Sequence, residues 1–423
     1  MCVHKVVTRK EESKLPMVSV GQGLFDLEDL MQGVAVDMTA FATTAGFQMM
    51  KGFIDQEVNV RAGDLHSQTT EINRWGRQKG SVIVGGQRLR LQVPRLRTRE
   101  GKEVPLSSYQ AFLHNDGRSK AVYDRLLAGV SCRDYAGTVE TMVDGYGISR
   151  SVANREMIKA TAKDLKTVLE RDLAELDLYI LLVDGVRLGG RMMIVAEGVD
   201  SCGKKHILGF REGSTETARV CLDLLHDLIR RQLKMDRPML VVIDGSRALR
   251  SAVDKFFGSN AFVQRCQQHK REDLKKYLPD ELHAEIDRKL TAAYAMTSYD
   301  DAEHALRTLV NELSRLNLSA AHSLQEGLEE TLTLHLLELP DVLRKTLSTT
   351  NLIESAFSTS RRVMRNVKRW SNSTQAQRWT ATALLRSEKR FRRIKGFRVM
   401  PSLINGLDEQ AKKRGLFRNT DVA

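Results

Sequence analysis

Two apolar runs in the 423-residue chain end alike, LLVDG at 181–185 and VVIDG at 241–245. An ionised carboxylate at the end of a buried strand is costly unless its charge is compensated. Taken singly, Asp184-Gly185 reads as a hairpin turn and Asp244-Gly245 as the start of a helix. Taken together, Asp184 and Asp244 read as oxygen donors for Mg2+, which is commonly held by one or two carboxylates plus phosphate. Two-metal phosphoryl transfer generally needs a further ligand. Glu354, in STTNLIESAFSTSRRVMR (348–365), is the third carboxylate. It too has a simpler reading: Asn351 followed three residues later by Glu354 fits a capping box, and Ile353, Phe357 and Met364 form a core stripe.

The elements around these residues decide whether the three carboxylates can meet. LYILLVDGVRL, RMMIVAEGVD and KKHILGFREG read as three consecutive strands joined by glycine turns. An amphipathic helix from Thr215 to about Leu233 follows, then the continuous apolar run PMLVVIDGS, typical of a strand covered on both faces. Helix RALRSAVDKFFG and strand AFVQRC complete a β-β-β-α-β-α-β unit. In that order the first and fourth strands can lie side by side, with Asp184 and Asp244 at one edge. Residues 270–345 are helical in pattern, so Glu354 must return to that edge after a helical excursion.

Upstream, residues 1–23 read as a loose arm and Leu27 to Val60 as a charge-poor helical stretch suited to packing or dimerisation. SVIVGGQRLRLQVPRLR reads as a hairpin turning at Gly85-Gly86, with a strictly alternating face of arginines. Residues 132–162 read as helix, glycine-bearing turn at DGYGIS, and second helix capped by Ser149. That is the spacing of a helix-turn-helix and equally of plain helix packing.

The net charge is +13. Residues 361–423 hold seventeen Lys and Arg against four acids, a surplus equal to that of the whole chain, and 74–102 hold nine against Glu100 alone. Two such clusters point to a nucleic-acid partner. Arg74, Arg77, Arg88, Arg90, Arg95 and Arg97 on the hairpin are expected phosphate contacts. Ser151, Asn154 and Arg155 follow from the second helix, and Arg361, Arg362, Arg365, Lys368 and Arg369 from the region beyond Glu354. Five scattered cysteines, with no CxxC pair, exclude a disulfide framework and a four-cysteine zinc site. Without an apolar run long enough to span a bilayer or a secretory leader, the chain is expected in the cytoplasm, associated with the nucleoid. No GxxxxGK[ST] motif is present, which disfavours a phosphate-loop ATPase.

These residues carry a resemblance. GGQRLRLQVPRLR, LLVDG, VVIDGSRALRSAV, CQQH with its following lysine (Cys266 to Lys270), TTNLIESAFSTSRR and the two tail tryptophans before EKRFRRI run in the order of the IS256 family of bacterial transposases, related to the Mutator transposases. The resemblance covers roughly residues 70–400. It implies an α/β fold with an RNase H-like catalytic domain, an all-helical insertion, and a triad of Asp184, Asp244 and Glu354 holding two Mg2+ ions, or Mn2+. It implies strand nicking and transfer at the terminal inverted repeats of a mobile element, on double-stranded DNA, by a homodimer. Cys266 and His269 match the family's C-x-x-H element and are expected to be structural, as is Asn351, with His269 and Lys270 near DNA. The chain departs from the pattern at Arg271, Glu272 and Asp273, which puts local DNA contacts there in doubt. The expected organisation is an arm and helical region (1–70), basic hairpin (71–115), helix-turn-helix-like region (116–177), catalytic domain (178–270), insertion (271–345), catalytic helix (346–365) and basic helical tail (366–423). A DNA-binding regulator with an inactive body, and a nuclease without strand transfer, are the alternatives.

Overall fold

The computed structural model describes residues 18–20, 23–25, 38–64, 71–84, 87–113, 123–127, 145–147, 150–213, 218–234, 236–365, 367 and 369–416. The chain divides into two compact units, Met1–Ala160 and Thr161–Ala423.

In the first unit, β1 (Val18–Val20) and β2 (Gly23–Phe25) pair antiparallel. Helix α1 (Met38–Ala62) packs Ile54 and Val58 against a sheet of β3 (Ile72–Val84), β4 (Gln87–Thr98) and β5 (Glu103–Val104). The expected alternation holds in β4, where Leu89, Leu91 and Val93 are buried and Arg90 and Gln92 exposed. The hairpin begins earlier than SVIV suggests, because β3 pairs back to Ile72 across a bulge between Arg74 and Arg77. Glu57 of α1 accepts bonds from the Ser107 and Ser108 amides, satisfying orphan N–H groups at the start of α2 (Ser107–Leu113). The break DGYGIS is not simply a turn. It contains β6 (Gly145–Gly147), which pairs with Gln87–Leu89 of β4 and so satisfies backbone groups there. Helix α3 (Arg150–Glu170) follows, while the first helix of the expected pair, and Ser149, lie outside the described residues.

The second unit is built on a five-stranded mixed sheet in the order β11 (Ala261–Arg265), β10 (Met239–Ile243), β7 (Leu178–Leu188), β8 (Arg191–Asp200) and β9 (Lys205–Gly213). Strands β7, β8 and β9 form an antiparallel meander. Gly189 and Gly190 make its first turn at φ 60° and 75°, a conformation that favours glycine and suits strand twist. After α4 (Ala218–Arg230) the chain returns as β10 (Met239–Ile243), wholly buried and parallel to β7, as an unbroken apolar run requires. Helix α5 (Arg247–Phe257), capped by Ser246, leads to β11 (Ala261–Arg265), parallel to β10. Helices α4 and α5 cover one face through Leu224, Leu228, Leu249 and Val253, against Leu181, Val183, Val241 and Ile243.

Helices α6 (Gln267–Lys275), α7 (Asp280–Ala295), α8 (Tyr299–Leu316) and α9 (Leu318–Gln325) form a helical block with its own core around Leu290, Leu306 and Leu324. It is tied back to the sheet, where Gln264 donates to the Thr331 carbonyl and Arg265 to Glu330. Helices α10 (Thr333–Leu336) and α11 (Asp341–Leu347) then lead to α12 (Asn351–Met364), which lies against β7. The basic region beyond is helical, as expected. Helix α13 (Ser373–Glu388) buries Ala381, Ala383 and Leu384, and its Glu388 accepts from Arg171 and the Ile207 amide. Helix α14 (Met400–Lys413) buries Leu403 and Leu407.

Candidate active site

Strand register brings the two aspartates together. Ile243 pairs with Val183 at the last rung of the parallel β10–β7 ladder, so Asp244 and Asp184 follow side by side where β10 ends. Asp184 is not in a turn. Strand β7 continues to Leu188 on β8 alone, which leaves Asp184 inside a strand, 6% exposed, at the point where one neighbour is lost. Asp184 Oδ1 accepts from the Gly185 amide at 2.7 Å, and Asp244 Oδ1 from the Ser246 amide at 2.8 Å. Gly245 stands at φ 105°, where an added Cβ would meet the Arg265 side chain at 3.1 Å, so the glycine after Asp244 is required by space and by backbone.

Glu354 reaches the same site by a closed path. Cys266 ends β11 and caps α6, its sulfur accepting from the His269 amide. The next amide, Gln267, donates to the Ser348 carbonyl at 2.9 Å, so the helical block leaves and returns at one place. The Thr350 hydroxyl lies 3.6 Å from the Cys266 sulfur and 3.4 Å from His269 Nδ1, and it donates to Glu354 Oε1 at 2.7 Å. The capping box is therefore corrected. Thr350 precedes the helix, exposed Asn351 is its first residue, and Glu354 is engaged by Thr350 instead. Thr350 is the residue that sequence reasoning missed; a hydroxyl four residues before the key acid was its only signal.

Electrostatics couple the three acids. Burial pushes the Asp184 carboxyl up to about 7, and the charges of Asp244 and Glu354 push in the same direction against the Gly185 bond and His269. A hydrogen bond with Cys266, aided by Asp184 and Asp244, raises His269 to about 9 despite its burial. His269 sets one positive charge against three converging acids, and hard oxygen donors of this kind suit a divalent cation such as Mg2+. Among the described residues no three Asp, Glu, His or Cys side chains already close to the spacing of a ligand sphere.

The sequence model described as "Transposase, Mutator family" matches residues 28–393. The chain belongs to that family. It is 28% identical over 242 residues to the transposase for insertion sequence element IS6120 of Mycolicibacterium smegmatis, covering 56% of this chain and 73% of that one. A probable transposase for an insertion sequence element of Corynebacterium diphtheriae is 27% identical over 245 residues, 56% and 68% of the two chains. The transposase for insertion sequence element IS406 of Burkholderia multivorans is 24% identical over 285 residues, 65% and 71%.

The other residues expected at the site of this Mutator-family chain are placed variously. Lys270 is corrected as a DNA contact: it is 4% exposed, burial lowers it to about 8, and its ammonium donates to the Ser323 and Glu326 carbonyls at 2.7 Å each. It ties α6 to the end of α9. Arg361, Arg362, Arg365 and Arg369 are exposed, and Lys368 lies outside the described residues. In the first unit, Arg77, Arg90, Ser151, Asn154 and Arg155 are exposed and Arg88 half-buried. Arg74 donates to Asn59 and the Gly63 carbonyl, Arg95 to Glu103, and Arg97 stacks 4.9 Å over the Trp75 ring. Among the described residues no helix is long and apolar enough to cross a membrane. Cys202, Cys221 and Cys266 are free thiols, and Cys2 and Cys132 lie outside the described residues.

The Thr350 bond has a direct test. Thr350→Val keeps the shape but removes the donor that fixes Glu354, and a fall of roughly 10- to 100-fold in DNA-processing rate is expected if Glu354 serves as a metal ligand that Thr350 orients. Thr350→Ser should restore the rate. A Val variant as active as wild type, at equal thermal stability, would deny Thr350 that part.

Proposed function

We propose that the chain is an insertion-sequence transposase that binds the terminal inverted repeats of its element and carries out metal-dependent strand nicking and strand transfer through Asp184, Asp244 and Glu354. The observation that carries this reading is the adjacency of Asp184 and Asp244 at the end of the β7–β10 ladder, with Glu354 close enough to shift the Asp184 proton. The order of the mixed sheet, a three-stranded meander extended by two parallel strands, supports reading this part as RNase H-like.

Asp184, Asp244 and Glu354 would hold two Mg2+ ions through carboxylate oxygens, with Mn2+ an alternative. Bound there, such ions supply Lewis-acid stabilisation of the attacking and leaving oxygens of a phosphodiester. The protein's part is to deliver the acids and fix the placement of their oxygens. Asp184, with its carboxyl near 7, must release a proton for its second oxygen to serve as a ligand. Gly185 and Ser246 amides and the Thr350 hydroxyl each bind one oxygen of an acid and so fix its rotamer. No covalent intermediate with the protein is required. A homodimer would suit the paired ends of an element.

The test is a Mg2+-dependent reaction on labelled duplex DNA carrying the element ends, wild type beside Glu354→Gln. Nicking and joining by wild type, with the variant binding but doing neither, is the expected result. Equal reaction by both would return Glu354 to a structural role, and cleavage without joining would identify a nuclease. Binding without any reaction by wild type would favour a regulator.

A further inference from the structure

On another side of α12 the second unit carries a pocket of about 630 Å3 that no motif of the active site accounts for. Its cations are Lys205, Lys345, Arg390, Arg392, Arg393 and Lys395, and no carboxylate lines it. Asn351, Ser355 and Thr359, one stripe at helical spacing, add polar donors from α12 itself. Among the described residues, Arg390, Arg392 and Lys395 have no ion-pair partner, although all three are exposed. Such a concentration of unpaired charge is self-repulsive and favours occupation by a polyanion.

The floor of the pocket is more specific. Lys205 is 7% exposed, and its ammonium lies 4.0 Å over the Phe391 ring and 3.6 Å from Glu197 of β8. Glu197 is fully buried, neither of its oxygens has a hydrogen-bond partner, and burial raises its carboxyl to about 8 despite Lys205. The Lys205 ammonium also donates to the Leu352 carbonyl at 3.4 Å and the Ser355 hydroxyl at 3.5 Å, which holds it at the pocket floor beside α12. Arg393 is similarly set against a ring, 5.1 Å over Phe397. Cations fixed on aromatic rings lose little freedom when they bind.

From this geometry we infer a binding site for single-stranded DNA, seating one or two nucleotides by their phosphates beside Phe391. The inference rests on the transposase reading for its choice of polyanion. The volume lies in the range of about 300–1,000 Å3 typical of ligand clefts and cavities, which suits a segment of one strand and not a double helix. A positive groove with aromatic side chains is also the chemistry by which single strands are held without regard to sequence. Because Ser355 lines the pocket while its neighbour Glu354 belongs to the acid cluster, the strand held here flanks the reacting phosphate and does not contain it.

The experiment measures anisotropy of a labelled single-stranded oligonucleotide and of duplex element ends across a salt series. It uses the full chain, Arg390→Ala/Arg392→Ala, and a control with equal charge removed from the exposed residues Lys412 and Lys413, both to Ala. The pocket variant is expected to bind the single strand roughly tenfold more weakly, with a log–log salt slope flatter by about 1.4, two contacts at about 0.7 each. Duplex binding should stay within about twofold, and the control and the melting temperatures should not move. Single-strand binding unchanged, equally weakened in the control, or absent in a wild type that binds duplex would overturn the inference. So would an equal loss on duplex. A wild type that binds no DNA at all would instead remove the reading beneath it.

Discussion

Asp184→Asn is expected to abolish strand cleavage and at the same time to stabilise the metal-free protein. The loss of activity should be on the order of 10^3-fold or more, because the variant can no longer offer a charged oxygen where negative charge is handled in the reaction. The gain in stability follows from linkage. In the unfolded chain the carboxyl titrates near 3.8, while burial first, and then Asp244 and Glu354, raise it to about 7 in the fold. The native state therefore binds this proton more tightly than the unfolded state. Its favourable contribution is complete below about pH 4 and is lost as pH rises through 7. Three pK units correspond to about 4 kcal/mol, so an effect of roughly 2–4 kcal/mol at pH 8 is expected. Denaturant unfolding in chelator at pH 5 and pH 8 should show wild type weakening and the variant much less so. Substantial nicking by a folded Asp184→Asn protein would sink the catalytic assignment; identical pH dependence of the two proteins would sink the electrostatic one.

Arg231→Met should cost about 3–5 kcal/mol, the range for breaking a buried ion pair. Arg231 is 6% exposed, pairs with Asp227, and donates to the carbonyls of Val168 and Leu208 at 3.0 and 2.7 Å. Methionine fills similar space but leaves those carbonyls without their donor. Asp227 keeps Arg211 and Arg230, so the damage lies mainly in the lost links between α3, α4 and β9. Arg247→Met is the comparison, because the Arg247 side chain is 87% exposed in its pair with Glu326 and should change stability by about 0–1 kcal/mol. Unfolding curves for the two variants decide the point. Equal destabilisation would mean that burial is not what gives Arg231 its weight.

Both predictions concern residues whose importance was unequally visible beforehand. Asp184 and Asp244 stood out because an acid at the end of an apolar run contradicts its surroundings. Arg231 did not, since an arginine late in an amphipathic helix ordinarily faces water. The basic clusters were legible as charge but not as geometry. Arg74 and Lys270 are taken up by carbonyls and Arg95 by a surface pair with Glu103, whereas Arg390, Arg392 and Lys395 line a pocket that the count of tail charges did not reveal.

By itself the sequence determined the strands and helices around the site, because local periodicity reports which face of an element is buried. It also singled out Asp184 and Asp244, since a charged residue at the end of an apolar run is conspicuous without coordinates, whereas Glu354 was picked out by the family resemblance. Only the tertiary structure decided that β7 and β10 pair at the register that sets Asp184 beside Asp244. It alone decided that Gln267 meets Ser348, closing the helical excursion so that Thr350 can hold Glu354. Register and loop closure depend on contacts between residues far apart in the chain, and no local pattern encodes them.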